Sequence, residues 1–377
     1  MKRRHFLGLG SALTAASLFP QPLIAARAGP LGAHAQRPLE LLILGGTRFI
    51  GLHMTSLALA RGHRVTFFNR GRTQTDRFPE IPRLIGDRNG SLEALKGRRF
   101  DAVIDNSGYT PRQVRSSAEA LKATAPHYLF VSSISVYASM AAANDESSPV
   151  GRLADESIET VDGASYGPLK ALCERAAQSV YGEERTTILR PGLIVGPDDN
   201  TDRFTYWPAR AARGGTLIAP GRPVDPIQLI DVRDLAAFSL HCLEQRIMGV
   251  FNVVSEPARF TMGDLVSASL DAAQRLAQPT TTPRAEWIDA GFLAAQGVMP
   301  WSDMPVWVPS EGETAGFAAT KVTRALAAGL VIRPMTETVD ATLRWHLTRP
   351  NAATLSLKAG IAPDRERDVL STWQASR

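Results

Sequence analysis

The sequence predicts an α/β chain built on a doubly wound parallel sheet, with a smaller, loop-rich lobe at the sheet's carboxyl edge. Three observations carry that expectation. From residue 39 onward, short apolar runs alternate with helix-period segments, as a series of βαβ units requires. A glycine-rich turn follows the first apolar run. After Pro191 the alternation gives way to loop chemistry: Gly196-Pro197-Asp198-Asp199-Asn200, Gly214-Gly215 and Pro220-Gly221. Right-handed crossovers make a sheet covered on both faces the economical arrangement.

Strands are expected at residues 39–44, 64–69, 83–86, 101–105, 128–132 and 186–190. Helices are expected at 49–61, at 111–124, from about residue 165, and at 260–277. Residues 283–317, with Trp287, Trp301 and Trp307, read as irregular and aromatic. Residues 36–195 would form the sheet domain, continued by about 225–255. The second lobe would comprise 196–224 and 256–345, with 346–377 as a helical tail.

Residues 1–35 are set apart as a leader. Lys2, Arg3 and Arg4 precede His5-Phe6-Leu7, an apolar run to Phe19, and the A-x-A sites Ala26-Arg27-Ala28 and Ala33-His34-Ala35. That layout is an export signal, and the Arg3-Arg4 pair resembles the twin-arginine type. It implies the twin-arginine export machinery as a partner and a periplasmic destination. The alternative is an uncleaved inner-membrane anchor, for which the apolar run is short of the roughly 20 residues a span needs. The formal charge of +5 falls to +1 once the four leader cations Lys2, Arg3, Arg4 and Arg27 are removed. That balance argues against a dedicated nucleic-acid binder. With 44% hydrophobic and 21% charged residues, disorder is excluded as well.

Chemistry is excluded in the same way. Two cysteines, Cys173 and Cys242, make neither a disulfide framework nor a thiolate metal site, and read as core side chains. The histidines are scattered, no H-E-x-x-H occurs, and no metal is expected. G-x-S-x-G and P-loop patterns are likewise missing from the sequence.

Leu44-Gly45-Gly46-Thr47-Arg48-Phe49-Ile50-Gly51 lies between the first strand and its helix. Glycines there permit a tight turn and let backbone N–H groups approach a pyrophosphate at a helix N-terminus. This is Rossmann chemistry, although G-x-G-x-x-G itself is not met. A dinucleotide's ribose selector belongs at the end of the second strand, where Asn69 is followed by Arg70, Gly71 and Arg72. With no carboxylate there and Arg48 nearby, a 2′-phosphate is favoured, so NADP is preferred over NAD. Farther along, Tyr166-Gly167-Pro168-Leu169-Lys170 places a phenol and an ammonium on one helix face. A free phenol near pKa 10 is a poor base at neutrality, but a neighbouring cation favours phenolate. Tyr166 could then take or return a hydroxyl proton.

These motifs resemble the extended, atypical short-chain dehydrogenase/reductases, the NAD-dependent epimerase/dehydratase group, over roughly residues 39–345. Gly45 and Gly51 match the outer glycines of that family's G-x-x-G-x-x-G, with Arg48 in place of the middle one. Ser132-Ser133-Ile134-Ser135-Val136-Tyr137-Ala138 is similar to its S-S-x-x-V-Y-G, which implies Ser133 as the third catalytic residue beside Tyr166 and Lys170. The resemblance implies cofactor contacts from Gly45, Thr47, Arg48, Phe49, Ile50, Gly51, Asn69, Arg70, Asp87, Arg88, Asn106 and Pro191. It also hints at a homodimer through the helix carrying Tyr166. Asp202, Arg203, Tyr206 and Trp207 form the candidate substrate strip, a mixture suited to a sugar-like small molecule. The expected function is an NAD(P)-dependent oxidoreductase or epimerase/dehydratase acting on a carbohydrate-like hydroxyl. Export would favour a tightly bound cofactor regenerated in place. The alternative is a non-catalytic module that binds NAD(P) or RNA, because Gly-Gly-Thr-Arg-Phe-Ile-Gly also resembles a plastid RNA-binding branch of the superfamily.

Overall fold

A computed structural model describes residues 37–377; the expected leader lies outside the described residues. Along the chain run β1 (Glu40–Leu44), β2 (Arg64–Asn69), β3 (Arg83–Ile85), β4 (Ala102–Asp105), β5 (Tyr128–Val131) and β6 (Thr186–Pro191). There follow β7 (Leu193–Val195), β8 (Thr216–Pro220), β9 (Pro226–Ile227), β10 (Leu229–Asp231), β11 (Gly249–Val253), β12 (Phe260–Thr261) and β13 (Arg284–Ile288). Seven of these form one parallel sheet in the order β11-β6-β5-β4-β1-β2-β3. The remaining six pair in twos: β7 with β10, β8 with β13 and β9 with β12.

The first strand shows why the sheet is doubly covered. Successive side chains of a strand point to opposite faces. Leu41 and Ile43 join one core with Met54 and Ala58 of α1 (Phe49–Ala60) and Leu235 of α5 (Val232–Glu244). Leu42 and Leu44 join another with Val114 and Ala118 of α2 (Pro111–Leu121) and Ala176 of α3 (Tyr166–Tyr181). An unbroken apolar run is what a strand buried on both faces needs. Both cysteines are buried, and burial pushes each thiol up to about 12.

From β1 the chain steps outward to β2 and β3, then returns to β4 on the other side and continues to β5 and β6. The reversal leaves a crevice beyond the carboxyl ends of β1 and β4, where ligands bind open α/β sheets. Under it lies a charged cluster. Arg88 grips the fully buried Asp105 through Nη2 at 2.6 Å and Nη1 at 2.7 Å, and the Tyr128 hydroxyl donates to Asp105 at 2.6 Å.

The second half is more regular than its sequence. Within residues 283–317, β13 runs parallel to β8 and leads into α7 (Ala290–Ala295). The strand segment Arg-Ala-Glu-Trp-Ile is mostly half-buried, so it lacks the apolar run that marks β1. The segment 260–277 opens as β12, and Thr261 with Asp264 makes a capping box for α6 (Met262–Ala272), which ends in a π turn at Ala273–Ala277. The lobe also holds α4 (Tyr206–Ala212), α8 (Thr323–Ala327) and α9 (Met335–Leu347). The tail is not helical throughout: 348–362 is loop, and only α10 (Pro363–Ala375) continues helical.

Candidate active site

Two cavities meet at the crevice. The first, of about 600 Å³, runs along the glycine turn and is lined by residues 45–50, 69–73 and 86–89 together with Asn106 and Ser107. Its floor is built by close approach. Gly46 has φ +88°, and a Cβ there would collide with the Phe67 ring; one on Gly51 would lie 2.6 Å from the Gly46 Cα. Side chains are therefore excluded where α1 starts, and that helix begins with no side-chain cap and no acid in its first turn. Uncapped N–H groups at a helix N-terminus suit an anion. Phe49, at φ +30°, holds the left-handed backbone that completes the turn.

Asn69 spends its amide on the protein: Nδ2 donates to the Gly45 carbonyl at 3.0 Å, and Oδ1 accepts the Gly71 N–H at 2.9 Å. It shapes the turn around the groove. Arg48, Arg70 and Arg72 are exposed along the groove, and none makes an ion pair among the described residues. Arg88 lines the groove as expected and at the same time pairs with Asp105, because a buried carboxylate needs its counter-charge. Asp87 lines the groove while accepting the Asn89 N–H. These features fit a dinucleotide: a turn that only glycine can make at positions 46 and 51, an open helix terminus and three guanidinium groups without ion-pair partners among the described residues.

The second cavity, of about 450 Å³, shares Phe49, Ile50, Asn106 and Tyr109 with the first and continues past Pro191. Ser133, Tyr166 and Lys170 all line it. Their meeting has a local cause. A Cβ on Gly167 would collide with the Ser135 carbonyl, so only glycine lets α3 start against the turn that carries Ser133. The Asp162 carboxylate accepts the Ala164 and Ser165 N–H groups and fixes the approach to α3.

The electrostatics differ from the sequence expectation. Burial raises the Tyr166 phenol above its ordinary value and the neighbouring Tyr109 adds to the rise; Ser133 and the Arg203 charge oppose it. Lys170 is buried and brought down to about 8 by desolvation. Its Nζ donates to the Val131 carbonyl at 2.6 Å and the Gly108 carbonyl at 3.0 Å, and sits 4.2 Å from the Phe130 ring centroid. Lys170 thus staples two strand ends, and Arg203 is the cation acting on Tyr166. Ser132 Oγ, on the same wall, is buried without a hydrogen-bond partner among the described residues.

The substrate strip divides. Arg203 lines the cavity, but Asp202, Tyr206 and Trp207 do not. Asp202 turns away to Arg349 at 2.6 Å and the Lys358 N–H at 3.2 Å. Tyr206 and Trp207 are core residues of α4, and the indole donates to the Pro305 carbonyl at 2.8 Å. Thr201, which opens the strip, lines the wall too, and Asp199, Gln228, Trp301 and Phe317 complete it. Asp199 sits in the loop-signal stretch before the strip and Trp301 and Phe317 in the aromatic segment 283–317, but nothing in the sequence assigned them to the site; Gln228 carried no signal.

The fold and site define a Rossmann-type protein whose glycine-turn groove opens onto a cavity lined by Ser133, Tyr166 and Lys170. Residues 114–253 match the NAD dependent epimerase/dehydratase family model. The bovine (Bos taurus) Epimerase family protein SDR39U1 is 29% identical over 296 residues, covering 74% of this chain and 95% of that protein. The Arabidopsis thaliana chloroplast stem-loop binding protein of 41 kDa b is 27% identical over 254 residues, 60% of this chain; the match spans 62% of that protein's length. Among solved structures, the Bordetella bronchiseptica enzyme WbmH in complex with NAD+ superposes with TM-score 0.59 at 15% identity, covering 82% of this chain and 99% of that one. Human SDR39U1 with NADPH gives 0.51 at 20% identity, over 81% and 99%. The structures show the shared fold, and the sequence matches support the resemblance to the epimerase/dehydratase family.

Proposed function

We propose that this chain is an NADP-preferring oxidoreductase or epimerase/dehydratase that acts on a hydroxyl or carbonyl of a small, carbohydrate-like molecule. The observation that carries the proposal is the continuity of the two cavities: Tyr166 opens into a space that shares four lining residues with the glycine-turn groove. The NADPH of human SDR39U1 and the NAD+ of WbmH support a nicotinamide dinucleotide in that groove. Arg48, Arg70 and Arg72 support the 2′-phosphate form, since guanidinium groups bind phosphate bidentately.

The dinucleotide, when bound, supplies hydride transfer to and from the substrate carbon. The protein manages the accompanying proton. As the C–H pair leaves as hydride, Tyr166 takes the hydroxyl proton, and in reverse it returns that proton to the carbonyl oxygen. Ser133 donates a hydrogen bond to the reacting oxygen as charge develops there. Arg203 stabilises the phenolate, and Lys170, with one N–H beyond its two carbonyl bonds, holds the neighbouring polar groups in place. Tyr166→Phe should reduce turnover by at least about 100-fold, the lower end of general acid–base contributions, while leaving NADPH affinity unchanged. Unreduced turnover would refute the assignment.

A second reading, a nucleotide- or RNA-binding module, is favoured by the chloroplast stem-loop binding protein among the matches. Under it, Tyr166→Phe would leave function intact.

A further inference from the structure

Arg203 is handled differently from most of the sheltered arginines. Arg88, Arg190, Arg210, Arg333 and Arg349 each close on a carboxylate at 2.6–2.7 Å. Arg203 has no carboxylate within 4 Å among the described residues. Its Nε donates to the Thr201 hydroxyl at 3.2 Å, and its guanidinium carbon lies 5.1 Å from the Trp301 ring centroid. Trp301 is braced edge-on by Phe317 at 5.4 Å. The two terminal amino groups have no hydrogen-bond acceptor among the described residues, and Arg203 lines the cavity. A guanidinium fixed at Nε and stacked on its face presents a fork shaped for a planar oxyanion.

Asp199 sets the second condition. It is 1% exposed, lines the same cavity, and receives the Thr201 N–H and hydroxyl at 2.8 Å. A carboxylate has about four acceptor positions, so Asp199 can accept a further hydroxyl. Its negative charge also opposes a doubly charged phosphate at Arg203. Size is the third condition. About 450 Å³ must admit the reactive end of the dinucleotide as well, and a sugar-sized molecule suits the space that remains.

We propose that the substrate is a small hydroxy carboxylate of the sugar-acid class, its carboxylate held by Arg203 and a neighbouring hydroxyl by Asp199, with the reacting carbon at Tyr166. This rests on the oxidoreductase reading above for the role of Tyr166, but the binding of the carboxylate does not.

Calorimetric titration of the NADP-loaded full chain tests it, with D-gluconate and D-glucuronate as probes against D-glucose, glucose 6-phosphate and UDP-glucose. At least one of the two carboxylates should bind about 10-fold or more tighter than all three comparators. Arg203→Met, which keeps the stem over Trp301, should weaken it about 10- to 100-fold, as loss of a charge-assisted pair does. Arg203→Lys should recover part of the loss. NADPH affinity should be unchanged in both variants, which verifies their folding. Binding of neither carboxylate, tightest binding of UDP-glucose or the phosphate, or indifference to Arg203→Met would each overturn the proposal. Arg203-dependent binding that persists without hydride transfer would uphold this inference and overturn the oxidoreductase reading instead.

Discussion

Asp105→Asn is the substitution whose cost the structure defines most sharply. Asp105 is fully buried at the end of β4, held by both terminal nitrogens of Arg88 and by the Tyr128 hydroxyl. Arg88 keeps the carboxyl below the usual carboxylate range, although burial alone would raise it. Asparagine preserves the shape and can still accept from Tyr128, but it leaves the guanidinium without its counter-charge. Two unit charges about 4 Å apart interact by about 4 kcal/mol at an effective dielectric of 20. Breaking a buried pair from one side costs about 3–5 kcal/mol. At about 2–4 °C per kcal/mol for a sizeable domain, Tm should fall by about 6–20 °C in a calorimetric melt. Tyr128→Phe, which removes one hydrogen bond to a charged group, should cost about 1.5–3 kcal/mol. Asp105→Asn melting within about 2 °C of wild type would refute the reasoning, because the pair would then have to be solvated.

Two further perturbations follow from the same physics. Arg70→Ala with Arg72→Ala should weaken NADPH about 10- to 100-fold and leave NADH nearly untouched, since the lost contacts are charge-assisted bonds to one phosphate; parallel fluorescence titrations decide, and equal losses for both nucleotides would contradict the selector role. His127 is buried and lowered to about 4 by desolvation, with the Arg246 charge adding to the effect. Thr187 donates its hydroxyl proton to the Ile247 carbonyl at 2.6 Å and so accepts from Nε2–H of a neutral His127 at 2.7 Å. Between about pH 6.5 and 4 the unfolded chain binds a proton the folded chain refuses, so stability falls as pH falls, by up to about 3 kcal/mol. His127→Gln should flatten that part of the stability–pH curve measured by urea unfolding; an unchanged slope would show that His127 is not the group responsible.

Much of the sheet was legible because buried parallel strands are written as unbroken apolar runs: Leu41 to Leu44 and Tyr128 to Val131 need nothing else to be read. The half-buried β13 carries no such run; β8, with Leu217 to Ala219 buried, is short and sits between glycine and proline breaks, and its pairing with β13 spans a long stretch of chain. The glycine turn and the Tyr166–Lys170 spacing are local, so they could be found. The partners of a charge are not local. Asp202 reads as a site acid until Arg349 arrives from the tail, and nothing near Arg88 in the sequence shows that it also holds Asp105. Trp301 and Phe317 come to the cavity from about 100 residues beyond the strip they complete, a convergence that periodicity cannot encode.

On the proposed function, a nicotinamide dinucleotide occupies the groove from Gly45 to Arg72 with its reactive end beside Tyr166. The most direct measurement is titration of the purified chain with NADPH, following nicotinamide fluorescence, alongside mass spectrometry of any nucleotide released on denaturation. Saturable one-to-one binding, tighter for NADPH than for NADH, or stoichiometric release of NADP, is the predicted result. A chain that releases no nucleotide and binds neither one on addition would contradict the account.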